Sequence, residues 1–201
     1  VSAVGIISVA VLNEATERLY YSKKLFIENK LGKVLNKKID LGDYSGIRIF
    51  GFSIGKTTIK DKNALNSQIE AENVVLRIMP MQSIINRKWI IDINPSDVRI
   101  NVRSDFFERS ENLEVNKNIN KFDYEFYLNL KNKSVFNVED IGINTEIKGL
   151  MVYKTSQKEL VGYLNSFSND QLALKVRLNT QLNNDLFSLQ ISALQLSMEL
   201  V

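Results

Sequence analysis

Apolar and polar residues alternate along most of the chain after residue 38. The pattern is clearest in residues 71–102, AENVVLRIMPMQSIINRKWIIDINPSDVRINV. Because successive side chains of a strand point to opposite faces, each alternating run predicts a strand with one apolar face. The three apolar faces predicted in this stretch consist of Val74, Leu76 and Ile78, of Trp89, Ile91 and Ile93, and of Val98, Ile100 and Val102.

Further runs of the same kind predict strands nearly to the end of the chain, for example KFDYEFYLNL at residues 121–130. Pro80 predicts the end of one strand and the start of a short helical turn. Asn94-Pro95-Ser96-Asp97 predicts a tight turn between two strands. Residues 105–121 are rich in Asn, Glu and Lys and predict a mobile loop.

The predicted strands need something to cover their apolar faces. Four or five large apolar side chains left in water would forgo roughly 10 kcal/mol, whereas whole domains are stable by only about 5–15 kcal/mol. No helix of ordinary length is predicted after residue 40. The cover is therefore a second sheet, a closed barrel, membrane lipid or a bound apolar ligand. The fold class that we predict is mainly β, with an N-terminal α-helix followed by an elongated, curved antiparallel sheet that forms a groove or half-pipe.

Residues 1–12, VSAVGIISVAVL, carry no charge. A membrane-spanning helix needs about 20 apolar residues, so this run predicts the outer half of a truncated membrane anchor. Tyr20 and Tyr21 follow at the depth of an aromatic belt, with Lys23 and Lys24 just beyond. A signal-peptide core and a buried core helix are the alternatives.

The helix is predicted to continue to about residue 36, with Tyr20, Ile27, Leu31 and Val34 on one stripe. We therefore divide the chain into an anchor helix with its extension, residues 1–36, and a β-rich groove domain, residues 37–201, with the mobile loop near 105–121.

Composition narrows the possible chemistry. The 201 residues include no Cys and no His, which excludes disulfides, thiolate chemistry and imidazole-based triads. The net charge of +3 is scattered in pairs such as Arg87/Lys88, which argues against a nucleic-acid partner. GFSIGKTT, residues 51–58, is one residue short of a phosphate-binding loop and continues with β-branched residues, so it predicts a strand. We predict no catalytic residue, no cofactor and no metal, and no enzyme.

Several segments together resemble a known family. ENKLGKVLNKKIDLGDYSGIRIFGFSIGKTTIKD, then IEAENVVLRIMPMQSIINRKWIIDINPSDVRINV and RSDFFE, are similar to the N-terminal part of TamB-type translocation and assembly module proteins of the AsmA-like group, in particular those of cyanobacterial type. The resemblance covers about residues 15–108.

This resemblance implies a single-pass N-terminal inner-membrane anchor and a periplasmic half-pipe with an apolar interior. The implied functions are outer-membrane protein assembly and secretion, and phospholipid transport between membranes. The implied partners are membrane lipid and the outer-membrane assembly machinery.

The residues that we predict to line a lipid groove are Val74, Leu76, Ile78, Trp89, Ile91, Ile93, Val98, Ile100 and Val102. The alternative for each is ordinary packing between two sheets. An alternative function follows, a membrane-displayed β-sandwich that serves as a binding or structural module. An outer-membrane barrel is a third alternative, against which the apolar N-terminal helix argues.

Overall fold

The computed structural model describes residues 3–61, 67–103, 123–168, 171–181 and 186–193. The fold is mainly β, with 58% strand, and one sheet curls into a half-barrel behind an N-terminal helix. This confirms the mainly β fold class, the N-terminal helix and the curved sheet. The helices are α1 (Ala3–Leu35) and α2 (Pro80–Asn86), and the strands are β1 (Lys37–Asp40), β2 (Tyr44–Arg48), β3 (Gly51–Ile54), β4 (Thr57–Asp61), β5 (Gln68–Ala71), β6 (Asn73–Ile78), β7 (Trp89–Ser96), β8 (Arg99–Val102), β9 (Tyr124–Val138), β10 (Ile143–Lys154), β11 (Glu159–Ser168), β12 (Gln171–Gln181) and β13 (Leu186–Ala193).

The strands β1 to β8 are the halves of four longer strands. Each longer strand consists of two consecutive strands, such as β1 and β2, with a short break between them. The order β2-β3-β6-β7 forms one half of this part of the sheet, and β1-β4-β5-β8 forms the other. At the interruption Gly42 and Gly55 cross closely, since a Cβ on Gly42 would lie 2.2 Å from the Gly55 carbonyl oxygen. The breaks occur at the same level in neighbouring strands, so the sheet bends across them.

Both halves meet at the long strand β9. Its first part pairs in parallel with β7 and its second part pairs in parallel with β8. From β9 to β13 every neighbouring pair is antiparallel. The prediction of an antiparallel sheet is therefore wrong at this seam. A parallel neighbour needs a long crossover connection, which alternation along the strands does not reveal. The loop predicted at 105–121 falls in this connection and lies outside the described residues.

The tight turn predicted at Asn94–Asp97 is also wrong. β7 continues to Ser96, and β8 begins after only a bend at residues 97–98. Pro95 pairs with Val74 of β6, but the pairing of β7 with β9 stops at Ile93. The missing N–H of Pro95 therefore breaks no hydrogen bond on the β9 side, and the strand tolerates the proline.

Helix α1 covers the free edge formed by β1 and β2. Unpaired edge N–H groups invite pairing with other chains, and α1 supplies acceptors for them. The bonds run from Ile47 N to Asn13 Oδ1 at 3.0 Å, from Tyr44 N to Tyr21 Oη at 3.3 Å and from Leu41 N to Glu28 Oε1 at 2.8 Å. The helix therefore runs antiparallel to this edge, and its N-terminus lies at the end of the sheet where β2 turns into β3.

Tyr20 is the α1 side chain that enters the core. It is 7% exposed and packs against the rings of Tyr44 and Phe52. Burial, and then the carboxylate of Glu28, raises the pKa of Tyr20 well above its usual range, so the hydroxyl stays protonated and donates to the Gly42 carbonyl. The helix ends at Leu35, which confirms its predicted extent, and two residues of the predicted stripe, Ile27 and Leu31, are 38% and 40% exposed. The side chain of Val34 lies outside the described set.

The anchor expected at the N-terminus stays a prediction. Within the part of the chain that the structure describes, neither helix combines the length and the hydropathy that a bilayer crossing requires.

Candidate functional site: the inner face and its mouth

The strand register brings apolar residues onto one face of the sheet, here called the inner face. One row of paired residues crosses seven strands on this face and consists of Phe52, Leu76, Ile93, Leu128, Met151, Gly162 and Leu178. The next row, one residue along each strand, lies on the outer face and consists of Gly51, Arg77, Asp92, Tyr127, Val152, Val161 and Asn179. The first row contains no polar side chain, whereas the second contains four. The core cluster of buried side chains also belongs to the inner face, whereas the outer row contains buried Asp92 and Val152, so the two faces differ in polarity rather than in burial.

Exposure along the inner face increases steadily toward one end. On β6 it rises from 8% at Val74 through half-buried Leu76 to 42% at Ile78. Beside it, exposure rises from 5% at Val98, in the break between β7 and β8, to 46% at Trp89 at the start of β7. The inner face is therefore buried around Val74 and Val98 and is exposed at the end that carries Ile78 and Trp89. We call this end the mouth.

A cavity of about 410 Å³ lies at the mouth, between α2 and the inner face. Its lining combines apolar side chains with two cations, and consists of Ile78, Pro80, Ser83, Ile84, Arg87, Lys88, Trp89 and Asp123. Its volume lies within the range of about 300–1,000 Å³ that is typical of small-molecule sites. The lining also includes the carboxylate of Asp123, so a cavity with apolar walls and charged groups of both signs at its edge suits an amphiphile with a polar head group.

The two cations at the mouth differ in their surroundings. Lys88 Nζ lies 2.5 Å from Glu125 Oε1, and this hydrogen bond raises the pKa of Lys88 above its usual value. The ammonium therefore stays charged and fastens β7 to β9 at the mouth. Arg87 is exposed at the left-handed C-cap of α2 and forms no ion pair with the described residues.

The nine residues predicted to line a groove all lie on or beside the inner face, but their exposure differs. Val74, Val98 and Val102 are less than 9% exposed and belong to the packed core. Leu76, Ile91, Ile93 and Ile100 are half-buried. Ile78 and Trp89 are exposed at the mouth. Whether these residues contact lipid stays a prediction.

Sequence reasoning missed the contribution of β9 and β10 to the same surface. Phe126, Leu128 and Met151 are half-buried on the inner face, opposite Ile91 and Ile93. The alternation of apolar and polar residues in these strands was visible in the sequence. Placing them on the same face as Ile91 and Ile93 required the register between β7 and β9. The outward-facing apolar side chains of α2 carried no distinguishing signal in the sequence.

The structure also bears on the GFSIGKTT segment and on the possibility of a metal site. GFSIGKTT forms β3, a two-residue break and the start of β4, so the strand interpretation is confirmed. A Cβ on Gly51 would lie 1.9 Å from the carbonyl oxygen of Leu76, so this glycine serves strand packing. Within the described ranges, no group of three or more acidic side chains is arranged to hold a metal ion.

Comparisons with protein-family models, with curated proteins and with solved structures find no match. The resemblance to TamB-type proteins therefore stays a prediction.

Proposed function

We propose that the chain is a membrane-associated groove protein whose inner face binds the acyl chains of lipids and shields them from water. The exposure gradient along the inner face is the observation that carries this proposal. Each buried methylene contributes about 0.8 kcal/mol, so an acyl chain laid from the mouth over half-buried apolar side chains is bound favourably. The proposed substrate class is the phospholipid, and the proposed role is lipid transport between membranes.

The TamB-type resemblance extends this proposal to a setting and to partners. In that setting the chain is held at the inner membrane by its N-terminus, lies in the periplasm and supports outer-membrane protein assembly and secretion. The apolar inner face and the exposed guanidinium of Arg87 at the mouth support the lipid part of this proposal. The protein-assembly part is supported by the sequence resemblance alone.

The alternative function, a membrane-displayed β-sandwich, expects two sheets packed face to face. Among the described residues one sheet contains all thirteen strands, and α1 and α2 pack mainly against its edge strands β1 and β2 and against β7, so no second sheet covers the inner face there. A groove that takes up lipid is therefore the better supported of the two.

Met151 and Leu150 provide a matched pair of variants for testing lipid binding. They are neighbours in β10, both are half-buried, and they point to the inner and outer face respectively. We expect Met151→Asp to lower the amount of phospholipid that co-purifies with the protein by about tenfold, because a carboxylate in the groove must be desolvated when an acyl chain covers it. Leu150→Asp is expected to retain the wild-type amount.

The measurement is mass spectrometry of lipids extracted from the whole chain, purified without detergent and normalised to protein that is folded by circular dichroism. Equal lipid in both variants, or a wild-type chain that carries and takes up no lipid, would contradict the proposed function.

A further inference from the structure

The exposed apolar side chains of the sheet region are concentrated at the mouth. Outside α1, ten large apolar residues of the described ranges are more than a third exposed, and seven of them lie at this end. We call these seven the rim cluster, which consists of Ile49, Phe50, Ile78, Met81, Ile84, Ile85 and Trp89. Ile78 N donates to Phe50 O at 2.8 Å, which joins the β2–β3 turn to the α2 region. A contiguous apolar patch of this kind marks an interaction surface.

Helix α2 presents its apolar side chains outward in a fixed orientation. Met81, Ile84 and Ile85 are 72%, 75% and 74% exposed, and none of the α2 residues is buried. Both ends of the helix are held, since Met79 N donates to Ile90 O, Ile90 N donates to Ser83 Oγ and Lys88 N donates to Ser83 O. The residues at positions i, i+3 and i+4 therefore form one unpartnered apolar face.

The rim cluster is surrounded by positive charge. Arg48, Arg77 and Arg87 are exposed at this end, and none forms an ion pair with the described residues. Of the nearby carboxylates in the described ranges, Glu125 pairs with Lys88, whereas Asp123 and Asp92 are bonded only to neutral groups, so the three arginines outnumber the two carboxylates that no cation pairs with. An apolar centre with cationic edges is complementary to a surface that is both apolar and anionic.

Helix α1 reaches past the same end. Asn13 lies at the level of Ile47, near the last residues of β2, and the helix continues from there to Ala3. At 1.5 Å per residue this extension is about 15 Å long. Residues 3–12 carry no charge, and Val9, Val11 and Leu12 are more than half exposed. Two separate apolar elements thus share one end, which a lipid surface accommodates together and a single protein groove does not.

We infer that the rim cluster docks on the surface of a membrane that contains anionic phospholipids. Met81, Ile84 and Ile85 enter the interface, the arginines contact lipid phosphates, and the mouth with its cavity faces the leaflet. The docking stands on the rim cluster itself, whereas its purpose, the transfer of lipid through the mouth, rests on the proposed function.

Vesicle co-sedimentation of the whole chain tests the docking. Vesicles of phosphatidylcholine with phosphatidylglycerol are compared with vesicles of phosphatidylcholine alone. Because burial of three large apolar side chains is lost, Met81→Gln/Ile84→Gln/Ile85→Gln is expected to bind anionic vesicles at least about tenfold more weakly than wild type. The control Val135→Gln/Ile143→Gln alters exposed apolar residues at the opposite end and is expected to bind like wild type. All proteins retain α1 unchanged.

The contribution of the arginine charge and the insertion of the rim cluster into the bilayer are tested separately. Arg87→Gln is expected to weaken binding to the anionic vesicles and to leave binding to phosphatidylcholine vesicles unchanged. Trp89 is the single Trp of the chain, so its fluorescence should shift to the blue on docking and be quenched by brominated acyl chains.

Three outcomes would overturn the docking: wild-type binding by the triple variant, equal binding to both kinds of vesicle, or a Trp89 signal that vesicles do not change. Vesicle binding that depends on the rim cluster, in a chain that extracts no lipid, would instead support the docking and contradict the proposed function.

Discussion

Replacing Gly149 with alanine is expected to destabilise the fold by about 3 kcal/mol, because the added Cβ overlaps with the neighbouring strand. That Cβ would lie 2.2 Å from the carbonyl oxygen of Tyr163 and 2.8 Å from Leu164 Cδ2. β10 is paired with β11 on this side and with β9 on the other, so it cannot move away from Tyr163 without disturbing both ladders.

Urea unfolding followed by circular dichroism measures this loss. Gly55→Ala is the control, because its Cβ would meet only ordinary contacts, the nearest 3.6 Å away. A Gly149→Ala protein as stable as wild type would show that the close approach of β10 and β11 is not required. Gly149 and Gly162 both lie on the inner face, so the same test examines whether closely approaching backbones allow the sheet to curl there.

Replacing Tyr20 with alanine is expected to cost about 3–4 kcal/mol and to release α1 from the sheet edge. The substitution removes the α1 side chain that is buried in the core, its hydrogen bond to Gly42 and its packing on Tyr44 and Phe52. The bonds that Asn13 and Tyr21 accept are worth only about 1 kcal/mol each and the bond to the Glu28 carboxylate about 1.5–3 kcal/mol, and we expect them to open once the packing of Tyr20 is lost.

Hydrogen exchange distinguishes release of the helix from general unfolding. In Tyr20→Ala the edge amides of Leu41, Tyr44 and Ile47 should lose protection while those of β10 keep it. Leu19→Ala is the control, since Leu19 is 62% exposed and its truncation is expected to change stability by less than about 0.5 kcal/mol. Retained protection at the three edge amides in Tyr20→Ala would mean that the polar bonds suffice.

The strands and their faces were predictable because they depend on local geometry. Alternation placed Leu76, Ile93 and the other candidate residues on one face without any knowledge of their neighbours. Pro80 likewise predicted the break and the short helix, since proline ends a strand and fits the first turn of a helix.

The features that sequence reasoning missed depend on distant parts of the chain. The parallel seam at β9 is set by a crossover connection, and Pro95 is tolerated because of where the β7–β9 pairing happens to stop. The attachment of α1 relies on polar side chains such as Asn13 and Glu28, whose spacing looks like that of any solvated helix face. The exposure gradient that distinguishes Trp89 from Val98 arises only when the sheet curls.

The central claim is that lipid covers the inner face and leaves the outer face bare, and single cysteines test it most directly. The chain contains no Cys, so each substitution introduces a unique reporter thiol. Cysteines replace Leu128 and Met151 on the inner face, and Leu150 and Val161 on the outer face.

The measurement is the rate at which a water-soluble maleimide modifies each cysteine before and after addition of phospholipid. The account predicts that lipid slows modification of the two inner cysteines by about tenfold or more, because an acyl chain excludes water and reagent from them. The two outer cysteines should react at unchanged rates. Equal protection of both faces, or protection of neither, would contradict the claim.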